Sequence, residues 1–97
     1  MMKGIFIIYA PAIEKVVFDA LDIVGAKYYT KFPYLHGVGG HAEPHLDTQT
    51  WPGSNMALLV VAEENMKNNL LNEIRKIKSK YLDEGIKAFV TNIEEHV

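Results

Sequence analysis

The sequence predicts an α+β sandwich built from the element order βαββαβ. Three observations carry that expectation. Four short apolar segments alternate with two stretches of helical periodicity. The first and third apolar segments are the most continuous, as central strands of a sheet should be. The second and fourth carry charges and a proline, as edge strands do.

Ile5-Phe6-Ile7-Ile8-Tyr9 is β-branched and aromatic, bounded by Gly4 and Pro11, and reads as a buried strand. Pro11 suits the first turn of a helix, where its missing N–H costs nothing. Ile13, Val16, Val17, Ala20, Leu21 and Val24 then recur at helical spacing, and Gly25 is a natural stop. Ala26 to Tyr34 mixes polar and aromatic residues, with Pro33 near its end, and reads as an edge strand. Met56 to Ala62 is continuously apolar and reads as a strand covered on both faces. Asn65 can cap a second helix, whose stripe is Met66, Leu70, Leu71, Ile74, Ile77 and Tyr81. Ile86 to Ile93 is the last strand, with partial alternation.

The usual solution for this order is the ferredoxin-like sandwich, an antiparallel sheet of order 4-1-3-2 with both helices on one face. The 97 residues suffice for one domain, 1–97. A chain this short buries only ~60–65% of its unfolded surface, so oligomerisation is a natural supplement. Tyr28, Phe32 and Phe89 place much aromatic surface on edge strands, and the second sheet face has no helix to cover it. A partner subunit is expected there.

The net charge of −2 gives no electrostatic support to a nucleic-acid role. The absence of cysteine excludes a disulfide framework, a thiolate nucleophile and the CxxC type of metal carrier. The N-terminal apolar run is too short to span a membrane and has no cleavage pattern after it. A soluble, cytoplasmic protein is expected.

The remaining chemistry lies in one long segment, from about 36 to 55, with four glycines and two prolines and no sustained period. It reads as a loop, and loops of that length in small domains carry function or are disordered. His36, His41 and His45, with Glu43 and Asp47 interleaved, could ligate a divalent metal ion, the candidate cofactor. Against this stands a polar, exposed loop whose histidines only tolerate turns. Gly37, Gly39 and Gly40 could turn backbone N–H groups toward an anion, or could simply supply positive φ at turns. No helix should follow them, so they are neither a Walker loop nor a dinucleotide fingerprint. Trp51-Pro52-Gly53 makes a turn before the third strand, with Trp51 pinning the loop base, lying at a subunit interface or stacking on a ligand. No hydroxyl sits in a nucleophile elbow, which speaks against an enzyme. The acylphosphatases and RNA-recognition domains share the topology. The first need a loop arginine, whereas the sole arginine here is Arg75, in a helix; the second need aromatics on the central strands, and the third strand, Met56 to Ala62, has none.

Three stretches give the chain a family likeness: Tyr29-Thr30-Lys31-x-Pro33, Gly37-x-Gly39-Gly40-His41-x-Glu43, and Trp51-Pro52-Gly53-x-Asn55. Together with the topology they resemble the PII-like signalling proteins, in a divergent branch related to nitrogen regulatory protein PII. The resemblance implies a non-enzymatic, homotrimeric regulator. Its long loop would meet a partner protein, a membrane transporter among the candidates, under control of a small anion or metal ion. Lys31, Gly37, Gly39, Gly40, Glu43, Trp51 and Asn55 are the residues it marks for effector or partner binding. A protein for divalent-cation tolerance or storage, using the three histidines, is the alternative. PII itself binds ATP or ADP with a Gly- and Lys-rich loop before the fourth strand. Here that stretch is Ser79 to Gly85, with one glycine and the acids Asp83 and Glu84, which weighs against a nucleotide. The loop lacks a tyrosine between Glu43 and Trp51, which removes the site of uridylylation.

Overall fold

A computed structural model describes residues 1–37 and 54–97. Strand β1 spans Lys3–Tyr9. A 3-10 turn over Pro11–Ile13 leads directly into helix α1, Glu14–Val24, so Pro11 opens the helical segment as its fixed φ favours. Strand β2 is Thr30–Leu35 and β3 is Asn55–Ala62. Helix α2 covers Glu64–Lys80 and strand β4 covers Ile86–Asn92.

The sheet order is β2-β3-β1-β4, and all pairings are antiparallel. That is the expected 4-1-3-2 order, with the two most apolar strands central. Ile5, Ile7 and Tyr9 of β1 pack with Leu58, Val60 and Ala62 of β3 against the helices. The helices contribute Val17, Ala20 and Leu21 from α1 and Leu70, Ile74 and Ile77 from α2. Each set falls among positions i, i+3, i+4 and i+7 of a helical face, so each helix buries one stripe.

Both helix ends are closed by recognisable devices. Gly25 takes φ 80°, and its N–H and that of Ala26 donate back to Asp22 and Leu21 carbonyls. This left-handed closure satisfies carbonyls that the helix end leaves open, and only glycine adopts it without strain. At the end of α2, the Lys78 ammonium donates to the Ile86 carbonyl over 2.7 Å, clamping the helix end to the start of β4.

Three local expectations are corrected. Asn65 is not the cap of α2: Glu63 holds that position and Asn65 lies inside the first turn. Strand β2 starts at Thr30 rather than Ala26, because Ala26 is buried and still closing α1. Among the described residues, helices pack on one face of strand β3 only. Phe6, Phe32, Val61 and Phe89 share the other face and are 38, 38, 43 and 55% exposed.

Candidate functional site

The two described ends of the long connection meet at one corner of the sheet. Strand β2 pairs with β3 from Thr30↔Leu59 to Phe32↔Ala57, and the ladder closes at Leu35↔Asn55. The register shifts between Phe32 and Leu35, and Tyr34 inside that shift has φ 61°. An extra residue on one strand bends it and increases its twist, so the irregularity re-aims the chain as it leaves the sheet. Positive φ was expected of the loop glycines. Among the described residues of this corner it falls instead on Tyr34, and Gly37 has none. A Cβ on Gly37 would lie 3.9 Å from the Asn55 amide nitrogen, so these two marked residues lie close together at the base of the connection.

A polar cluster that the sequence did not suggest stands beside this corner. The Tyr9 hydroxyl, at the end of β1, donates to Glu14 Oε2 over 2.7 Å. The same oxygen receives the Lys31 ammonium of β2, also at 2.7 Å. One carboxylate oxygen therefore joins β1, α1 and β2. Tyr9 is 1% exposed, and burial, then its bond to Glu14, push its hydroxyl above the ordinary tyrosine range. The bonds from Lys31 and from Tyr9 hold the Glu14 carboxyl below the usual carboxylate value. The register puts Lys31 opposite Leu58, on the helix-covered side of the sheet edge. Lys31, marked in the sequence for effector or partner binding, is thus engaged with Glu14 inside the chain. No periodicity links Tyr9, Glu14 and Lys31, so sequence reasoning had no signal for their meeting.

The segment before β4 reaches the same end of the sheet. The Ala10 N–H donates to the Gly85 carbonyl over 2.9 Å, next to Tyr9. Asp83 is exposed and Glu84 half-buried. Of the other marked residues, Gly39, Gly40, His41, Glu43, His45 and Trp51 lie outside the described residues. His36 immediately follows β2. Among the described residues, no helix is long and apolar enough to cross a membrane.

Against known families, the model for nitrogen regulatory protein P-II matches residues 2–97. The chain belongs to the P-II family. No curated protein sequence matches it. Among solved structures, it superposes on the PII-like protein CPII of Thiomonas intermedia, bound to ADP, AMP and bicarbonate, with a TM-score of 0.73. Identity there is 23%, over 95% of this chain and 89% of the other. A PII-like signalling protein of Thermus thermophilus superposes with a TM-score of 0.64 at 24% identity, over 95% and 86% of the two chains. The apo form of CPII matches at 0.66 and 17%, over 95% and 90%. At these identities the likeness establishes the fold.

These findings correct the cofactor expectation, which left the cofactor open with a divalent metal ion as the candidate and weighed against a nucleotide. Among the described residues, His36 included, no group of three or more His, Asp or Glu side chains could hold a metal ion. The liganded CPII structures hold ADP with bicarbonate, ADP and AMP with bicarbonate, or ADP and AMP with acetate. The case against a nucleotide rested on counting Asp83 and Glu84. Exposed charges repel by only ~1 kcal/mol at 4 Å in water, and less in salt. Their presence in the sequence is a weak argument once one of them points into solvent.

Proposed function

We propose that this P-II family protein is a non-enzymatic signal transducer: a single-domain cytoplasmic homotrimer whose connection from 36 to 55 contacts a partner protein under control of a small anionic effector. The effector class is an adenine nucleotide or bicarbonate, by analogy with CPII. Gly37, Gly39, Gly40, Glu43, Trp51 and Asn55 form the responsive contact element. A membrane transporter is one class of partner that such an element suits.

The observation that carries this reading is the Leu35↔Asn55 closure, which roots the connection at the end of the sheet where Gly85 and the Tyr9 cluster also lie. An effector at that end could bias the connection between states of different order, and the partner would read the shifted population.

Calorimetric titration of the full chain with ADP, AMP and bicarbonate tests the proposal. Saturable binding to at least one, with hydrogen-exchange protection gained between 36 and 55, is expected. No heat from any of the three and no change in exchange sinks the effector reading. A monomeric mass by light scattering at micromolar concentration sinks the trimer.

A further inference from the structure

We propose that Glu14 is a positioning residue for the root of the β2–β3 connection: with Tyr9 it holds Lys31, and through Lys31 it fixes where β2 leaves the sheet. The inference adds a device to the contact-element reading above, and rests on that reading only for its functional consequence.

Strand β2 needs such a fixing point. It is an edge strand, hydrogen-bonded to β3 alone, and all six of its residues are exposed. Its ladder is interrupted between Phe32 and Leu35. Edge strands with few buried contacts open locally at low cost. Among the described residues, two side-chain contacts reach toward it from α1. One is the Phe18–Tyr29 ring pair, with centroids 5.3 Å apart, just before the strand begins. The other is Glu14–Lys31, one residue before the bulged stretch.

Glu14 is well placed for this work. It sits in the first turn of α1, where a carboxylate is favoured by the helix dipole. The turn itself is held at two points. The Ile13 N–H donates to the Ala10 carbonyl, and the Ala10 N–H donates to Gly85. Tyr9 adds a hydrogen bond from a fully buried ring in the core, which limits the positions open to the carboxylate. The flexible Lys31 side chain therefore meets an oxygen already fixed by the core. Such an arrangement loses less side-chain entropy than two free surface chains would. The Lys31 and Glu14 side chains are 35 and 31% exposed, so the pair is partly shielded.

The test compares wild type with Glu14→Gln, Lys31→Met and the charge-swapped double variant Glu14→Lys/Lys31→Glu. Amide exchange is followed in β2 and in β1, with emission from the single tryptophan, Trp51, as a reporter within the connection. Each single variant should raise exchange across Lys31–Leu35 about three- to tenfold. Exchange at Ile5–Ile7 should stay as in wild type, Trp51 emission should shift, and the charge swap should restore neither readout, because it faces the Tyr9 hydroxyl with an ammonium and puts a cation at the helix N-terminus. Unchanged exchange in β2 in both single variants overturns the proposal. So does an equal rise in β1 and β2, which would mean that the pair only adds global stability. The measurements are made without effector or partner, so they stand or fall separately from the titrations above.

Discussion

Glu14 Oε2 accepts two hydrogen bonds, one from a buried phenol and one from an ammonium, and both favour its ionised form. Its carboxyl therefore titrates below 4.5 in the folded chain and near 4.5 in the unfolded one. The contribution is fully present above the unfolded value and is lost as pH falls through the folded one. In urea melts recorded from pH 6 down to pH 2.5, wild type should lose stability more steeply than Glu14→Gln. Tyr9 has the opposite sign. Its hydroxyl is raised above the ordinary 10.0, so its contribution is present below pH 10 and declines as pH rises further. Tyr9→Phe should cost about 1 kcal/mol at neutral pH, after allowance for the exposure of Glu14. It should also flatten the alkaline limb of the stability profile, checked by denaturant midpoints between pH 8 and pH 11.

At the scale of elements, the helices were legible because burial imposes a period. The stripes Val17, Ala20, Leu21 and Leu70, Ile74, Ile77 are the positions that spacing marks, and all six are buried. Leu70→Ala removes a fully buried side chain between helix and sheet. It should lower stability by about 2–4 kcal/mol in denaturant titration with no change of fold. Boundaries were less legible. Asn65 is a good cap by residue type, yet Glu63 takes that place without a side-chain cap bond. The start of β2 was misplaced because Ala26 serves two roles, closing α1 and entering the core, and neither leaves a mark on a strand pattern. The site was the least legible part. The closure of Gly37 on Asn55 and the pairing of Lys31 with Glu14 are contacts across 18 and 17 positions that no local pattern encodes.

For the whole molecule, the uncovered sheet face dominates. Phe6 faces Phe89 across the β1–β4 ladder and Leu59 across the β1–β3 ladder, so apolar side chains run continuously over that face. The continuous apolarity of β3 led to an expectation of cover on both faces. A helix of the same chain and a second copy would leave the same imprint on a sequence, so the residues alone could not say which supplies it. In the trimer proposed above, this face would be the shared core. Phe6→Glu should then convert the trimer to monomer by light scattering, while the far-UV spectrum of the monomer stays that of the folded chain, because Phe6 is already 38% exposed without a partner.

The Leu35↔Asn55 closure separates two kinds of inheritance in this chain. Since the ends of the connection already face each other across a ladder, joining them requires only enough chain to span Leu35 to Asn55. Replacing residues 36–54 with a four-residue turn should leave the sheet intact and, by closure entropy alone, favour it by about 1.4 kcal/mol. A thermal melt and a circular-dichroism spectrum of that shortened chain would check it. The segment can then be exchanged as a cassette: recognition would be free to diverge, by lengthening, shortening or wholesale replacement, at little cost to the scaffold that carries it.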